Sequence, residues 1–235
     1  MRAESAKCYK PARGNTIILE VTLVTDAYSC LNIDAVRAAR TERQPYNYLI
    51  ASNVIQPGAV DGLRSDFPDI KETGFFPEGD ITAHGVFAKL LAEMKSPEMS
   101  AIASEKLDIN LVDKPKMITI RKLSAAKDGR IHTDSESKIA TLLVYLNDAW
   151  QDAPEGRLRV LRNGTDFNDM AEEISPVTGS LFAFRRADNS WHGHTSFVGE
   201  RRVVQMTWLR SQADIERKQQ RGSLSHFFKK LLNFG

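Results

Sequence analysis

Hydrophobic residues recur along this chain with two periods, and the change from one to the other falls near Pro115. Before it, helical spacing prevails. In "GVFAKLLAEMK", Gly85 to Lys95, the residues Val86, Leu90, Leu91 and Met94 fall on one side of a 3.6-residue turn, which predicts an amphipathic helix. "SPEMSAIASEKLDI" repeats the pattern, with Ser96 or Ser100 as cap. "NIDAVRAARTERQ" starts on an Asn or Asp cap and reads as a short helix, and "PGAVDGLRSDF" opens with a proline suited to a helix start. Between these two, "YNYLIASNVI" alternates as a strand does. Further upstream, Thr16 to Val24 is apolar and β-branched with no evident partner to pair with.

After Pro115 the texture changes. "KMITIRKL", "KIATLLVYLN", "GRLRVLR", "GSLFAFR", "SWHGHTSF" and "RRVVQMTWLR" are short runs rich in β-branched, leucine and aromatic residues. Turn clusters such as "KDG", "APEG", "NGTD" and "PVTG" separate them. Many short strands with no helices between them indicate an antiparallel sandwich or jelly roll. Helices first and a β region after make the fold class α+β. The expected organisation is a support region over residues 1–114, a β core over 115–211 and a basic helix over 212–235, with one domain overall. In that last segment Leu224, Phe227, Phe228, Leu231 and Leu232 repeat at helical spacing, with Lys229 and Lys230 on the polar side. Such a helix packs on the barrel or on a second subunit of a homodimer, or else lies on a membrane surface.

Composition narrows the class without naming a function. An apolar fraction of 42% and a charged fraction of 26% are those of a globular protein. A formal net charge of +2 gives no reason to expect nucleic acid as partner. The two cysteines, Cys8 and Cys30, form neither a disulfide framework nor a CxxC pair, so a reducing, cytoplasmic compartment is expected. "NTIILEVTLV" is too short to span a membrane and lacks the small-residue cleavage site of a signal peptide.

The chemistry sits in "IHTDSESKIATLLVYLNDAW". His132 and Asp134 lie two apart at the mouth of a strand pattern, so alternation sends both side chains the same way. A turn in which Asp134 and Ser135 cap backbone groups would explain this pair alone. A third candidate changes the picture: His192, in "NSWHGHTSF". His-x-Asp followed far downstream by His has the make-up of a 2-His-1-carboxylate triad, which fills one face of an octahedral Fe(II) and leaves the other open. His194 shares strand parity with His192; His192 is preferred for its spacing to Arg201 and its following Gly193. Nine residues past His192, Arg201 offers a planar guanidinium able to pair bidentately with a carboxylate.

On these residues the chain resembles the Fe(II)- and 2-oxoglutarate-dependent dioxygenases, in the branch similar to prolyl 4-hydroxylases. The matching stretches are "HTDSESKIATLLVYLNDAW", "EGRLRVL", "ISPVTGSLFAF" and "SWHGHTSFVGERRVVQMTWL", within about Lys116 to Arg210. The resemblance implies a double-stranded β-helix, with Fe(II) held by His132, Asp134 and His192. It implies 2-oxoglutarate as co-substrate, with its distal carboxylate on Arg201 of the Gly-x-Arg motif and Leu158 lining its pocket. Dioxygen is the second co-substrate and ascorbate a further cofactor. The activity implied is hydroxylation of a C–H bond, of a prolyl-type peptidyl residue, coupled to decarboxylation of 2-oxoglutarate to succinate. Related halogenases lack the carboxylate ligand, and Asp134 is present. Prolyl hydroxylases often add a tyrosine contact to 2-oxoglutarate from the strand after His-x-Asp. That position reads here as Val144, with Tyr145 turned to the other face as a packing residue, which leaves Thr141 or Thr207 to supply the contact. Three alternatives remain: a β-sandwich binding domain that performs no oxidation, an oxygenase of a small molecule or glycan, and a cupin-like metalloenzyme that uses the same ligands without 2-oxoglutarate. The last would leave Arg201 with no carboxylate to bind.

Overall fold

The computed structural model describes residues 28–150, 154–218 and 220. Four helices and ten strands are named in chain order: α1 (Ile33–Arg37), β1 (Arg40–Glu42), β2 (Tyr48–Ala51), α2 (Val60–Ser65), β3 (Phe76–Pro77), α3 (Gly85–Met94), α4 (Pro97–Leu107), β4 (Lys116–Ser124), β5 (Lys138–Tyr145), β6 (Leu158–Leu161), β7 (Met170–Ile174), β8 (Leu181–Arg185), β9 (His192–Gly193) and β10 (Gly199–Leu209).

The helices form for the reasons their sequences give. Asn32 caps α1, its side chain accepting from the Ala35 amide, and Ser96 caps α4 by accepting from the Met99 amide at 3.1 Å. On α3 the buried residues are Phe87, Leu90, Leu91 and Met94, a stripe at helical spacing. Its first turn is satisfied by Asp66, whose carboxylate accepts from the Val86 amide at 2.7 Å, while the His84 side chain is mostly solvated.

All strand pairs of the two sheets are antiparallel. The major sheet runs β1-β2-β8-β5-β10-β4-β3 and the minor sheet β7-β6-β9. The N-terminal segment contributes more strand than its pattern suggests, because β1, β2 and β3 form the outer strands of the major sheet on both sides. Alternation along the central strands creates two cores. One side of the major sheet, with Leu142 and Val144 of β5 and Val204, Met206 and Trp208 of β10, packs with Phe87, Leu90, Met94 and Met99 of the helices. The opposite side, with Leu143, Tyr145 and Val203, packs against Leu158, Val160 and Ile174 of the minor sheet. The second core is the interior of a double-stranded β-helix, and the candidate site opens from it. The apolar Thr16 to Val24 stretch, Cys8 and the amphipathic 224–232 segment lie outside the described residues. Among those described, no helix is long and apolar enough to cross a membrane.

Candidate active site

Two segments distant in sequence meet at the outer edge of the minor sheet. The His132 amide donates to the His192 carbonyl at 3.0 Å, and the His192 amide donates back to the His132 carbonyl at 3.0 Å. This closed antiparallel pair puts both imidazoles on one face, their ring centres 4.4 Å apart. The approach of the two backbones is close enough to require glycine. A Cβ on Gly193 would stand 2.6 Å from the Gly129 carbonyl oxygen, and one on Gly129 would stand 2.3 Å from the His194 ring. Gly129 also has a φ of +85°, a region that side chains other than glycine's rarely adopt.

Asp134 completes the cluster, two residues beyond His132 and on the same side. One ligand atom from each of His132, Asp134 and His192 lies within 4.8 Å of the others. Each imidazole has its Nδ1 beside a backbone carbonyl, Arg130 at 2.8 Å for His132 and Ser190 at 2.9 Å for His192. A carbonyl can only accept, so Nδ1 carries the proton and Nε2 is left with a lone pair for a cation. Asp134 accepts from Lys138 Nζ at 2.6 Å and from Thr141 Oγ1 at 2.5 Å, one bond on each oxygen. These bonds fix the plane of the carboxylate from behind. Two neutral nitrogens and one oriented carboxylate on one side of a gap suit Fe(II), so the donor set fits the metal that the triad implies.

Electrostatics agree with that assignment. Burial holds the His192 pKa down at about 4, against the pull of Asp134, so the ring is neutral at physiological pH. Burial alone would raise the Asp134 carboxyl, but Lys138, His192 and the Thr141 hydroxyl outweigh it and bring it to about 2. The carboxylate is therefore ionised at physiological pH.

A cavity of about 240 Å³ runs inward from the two histidines, lined among others by Leu143, Tyr145, Leu158 and Arg201. Arg201 is 3% exposed; its Nε donates to the Gly156 carbonyl at 2.8 Å and its Nη2 to the Tyr145 hydroxyl at 3.3 Å. Arg202 turns to the opposite side, over the Phe67 ring. Leu158 of β6 faces the cavity.

One expectation is corrected here. Tyr145, and not Val144, faces inward, because the inner parity of β5 runs Thr141, Leu143, Tyr145 while Val144 packs on the helical side. Tyr145 is fully buried, and its hydroxyl reaches Arg201. Thr141 is engaged by Asp134. Thr207 pairs with Thr141 across β5 and β10, and its buried hydroxyl has no hydrogen-bond partner among the described residues. Neither threonine lines the cavity. His194 does line it, but lies outside the ligand cluster, with its Nδ1 at the Thr195 carbonyl. Trp208 is core, its indole donating to Ser100 on α4, whereas Trp191 is half-buried beside Gly164. Lys138 and Arg121, neither singled out from sequence, also belong here, Lys138 behind the carboxylate and Arg121 in the cavity wall.

Residues 121–210 match the 2OG-Fe(II) oxygenase superfamily. No curated protein matches the chain. Among solved structures, it is similar to a prolyl-4-hydroxylase of Pseudomonas putida, at 17% identity and a TM-score of 0.51, over 69% of this chain and 84% of that one. It is also similar to a prolyl hydroxylase of Trichoplax adhaerens in complex with a hypoxia inducible factor peptide fragment, at 14% identity and a TM-score of 0.51, over 73% and 85% of the two chains. Likeness at these identities is likeness of fold. The match to the 2OG-Fe(II) oxygenase superfamily is carried by residues 121–210, and the fold of the chain is similar to that of the prolyl 4-hydroxylases.

Proposed function

We propose that this chain hydroxylates a C–H bond of a peptidyl residue, of the prolyl type, and converts 2-oxoglutarate to succinate and CO2 as it does so. The observation that carries the reading is the alignment of three elements in one cavity: the His132, Asp134 and His192 cluster at its mouth, Leu158 along its wall, and the Arg201–Tyr145 pair at its inner end. The residues divide the work by position. His132 and His192 present Nε2 lone pairs, with their tautomers fixed by backbone carbonyls. Lys138 and Thr141 hold Asp134 so that its oxygens cannot swing away. Arg201 takes the distal carboxylate of 2-oxoglutarate in a charge-assisted bond, and Tyr145 donates its hydroxyl to the same group. Leu143 and Leu158 exclude water along the length between. Iron, when bound with 2-oxoglutarate and dioxygen, supplies the oxidising chemistry. The peptide reading is supported by the fold shared with a prolyl hydroxylase solved with a peptide fragment.

The test is succinate release, with Fe(II), 2-oxoglutarate and ascorbate as the reductant, screened against peptide, amino-acid and glycan pools with His132→Ala as the blank. Release stimulated by proline-containing peptides is the expected result. Stimulation only by amino acids or glycans would move the substrate to a small molecule or polymer. No release from any pool, with metal bound, would remove the oxygenase reading.

A further inference from the structure

A second buried guanidinium stands in the cavity wall beside Arg201. Arg121 lies on β4 opposite Val203 of the neighbouring strand β10, and it is 8% exposed. Its polar contacts are long: Nη1 is 3.5 Å from Ser124 Oγ, and Nη2 is 3.7 Å from Asp128 Oδ2. Asp128 is already engaged, accepting from the Ala125 amide at 2.9 Å. The Arg121 Nε is buried and has no hydrogen-bond partner among the described residues. Its guanidinium carbon rests 4.1 Å from the centre of the Phe75 ring, which holds the plane in place without neutralising it.

This arrangement is costly as it stands. Burial lowers the Arg121 pKa to about 10, with Asp128 opposing and the Arg201 charge adding to the fall, so the side chain is still a cation at neutral pH. Two buried cations therefore line one cavity, and none of its lining residues is acidic. A buried N–H without a partner and a like-charge neighbour both disfavour the empty arrangement, and an anion placed between the two guanidiniums relieves both. The charges that act on Arg121 belong to the Arg201 end of the cavity: Asp128, Arg201 and Tyr145. Those that act on His192 belong to the other end: Asp134, His132 and Lys138. Arg121 pairs with Val203, two residues from Arg201, and both guanidiniums line the same cavity, so the anion that meets Arg121 is the one that meets Arg201.

Building on the 2-oxoglutarate reading above, we propose that Arg121 is a second anchor for the distal carboxylate, so that arginines from adjacent strands β4 and β10 grip it together. The cavity then selects dicarboxylate 2-oxo acids over those that end in a methyl group. The Tyr145 hydroxyl serves as the neutral third donor.

Calorimetry on the Mn(II)-loaded protein separates the outcomes, using 2-oxoglutarate and its methyl-ended analogue 2-oxopentanoate as probes. In Arg121→Met, 2-oxoglutarate should bind about 10- to 100-fold more weakly, the range of one charge-assisted hydrogen bond, while 2-oxopentanoate changes less than about threefold. Arg121→Lys, which keeps the charge but not the fork, should fall between. Unchanged binding of 2-oxoglutarate in Arg121→Met overturns the proposal, leaving Arg121 as a structural cation of Asp128 and Phe75. Equal loss for both probes also overturns it, because the carboxylate then has no special part. If the unaltered protein binds Mn(II) but neither probe, the co-substrate reading itself fails and takes this inference with it. Should both variants unfold, a crystal structure of the unaltered protein with Mn(II) and 2-oxoglutarate decides. A carboxylate oxygen within hydrogen-bonding distance of both guanidiniums is expected; Arg121 turned to Asp128 with no ligand oxygen in reach contradicts it.

Discussion

Strands β5 and β10 present two buried faces that obey different rules. On the helical side stand Leu142, Val144, Val204, Met206 and Trp208, and the one polar atom among their side chains, the Trp208 indole N–H, is satisfied by Ser100. On the inner side stand Thr141, Tyr145, Arg201 and Thr207, equally deep in the protein but polar or charged, beside the apolar Leu143 and Val203. Val144 and Tyr145 are neighbours in the chain and each is fully buried. Burial alone thus does not distinguish core from site. The difference is that the first face removes apolar area from water, whereas the second holds polar groups in a dry space at a cost to stability. In the cavity wall the Arg121 Nε is buried and short of a protein partner, whereas the Trp208 indole on the helical side has one.

The largest expected effect is on the inner side. His192→Ala removes one of the three side chains of the His132, Asp134 and His192 cluster and should weaken Mn(II) binding by about 100-fold or more, beyond what loss of an outer partner costs, and take succinate release to background. Calorimetry with Mn(II) reads this directly. Unaltered metal affinity would mean that the cluster is not the metal site.

The mirror experiment belongs to the helical side. Leu142→Ala, at a position 1% exposed, should lower unfolding stability by about 2–5 kcal/mol in urea titration. Its affinity for 2-oxoglutarate should stay within about twofold of the unaltered protein. A large loss of co-substrate affinity would blur the distinction between the two faces.

The pH response sharpens the same contrast, since His192, His194 and Asp134, all driven well below their ordinary values, stand at the inner-side site. His192 and His194 are held at about 4 and about 3, below the ordinary value of 6.5, burial being the leading cause for both and Arg201 adding to it for His194. In the unfolded chain both take up protons first as the pH falls, so the stability they leave intact above pH 6.5 is lost progressively, down to about pH 4 for His192 and about pH 3 for His194. Each should contribute about 2–3 kcal/mol of that loss in the metal-free protein. Asp134, at about 2, adds its own loss only below about pH 4. Urea titrations at pH 7.5 and 4.5 measure the difference. Equal stability at the two values would mean that the rings are charged or solvated in the fold. The smallest effect is expected from Tyr145→Phe, which deletes one hydroxyl and should weaken 2-oxoglutarate by roughly three- to tenfold, the worth of one neutral hydrogen bond. No change would leave the distal carboxylate to the arginines.

The two faces also differ in how far the sequence discloses them. The meeting of His132, Asp134 and His192, and the place of Arg201 in the cavity, are legible because their residue types and spacing are unusual together: His-x-Asp fixes two side chains on one side, and the later His and Gly-x-Arg fall on strand patterns. The caps at Asn32 and Ser96 and the stripe on α3 were legible because helix ends and faces are local features. Tyr145 was misplaced because alternation has to be counted from a fixed point. A one-residue error in that count exchanges the faces, and Thr141 at the Asp134 carboxylate is the anchor that sets it. Arg121 was silent because one arginine in "KMITIRKL" reads as the solvated side of a strand until a second sheet is known to cover it. The β7 strand, "MAEEI", is an edge strand with an exposed Met170, and so carries little of the apolar pattern that reveals a strand.

The most direct test of the site is the visible absorption of the anaerobic protein titrated with Fe(II) and 2-oxoglutarate. A weak charge-transfer band should grow to saturation in the unaltered chain, be absent in His132→Ala, and in Arg201→Ala require about 100-fold more 2-oxoglutarate. A band that persists without His132, or one that saturates at the same concentration without Arg201, would contradict the proposed meeting of metal ligands and carboxylate anchor in one cavity.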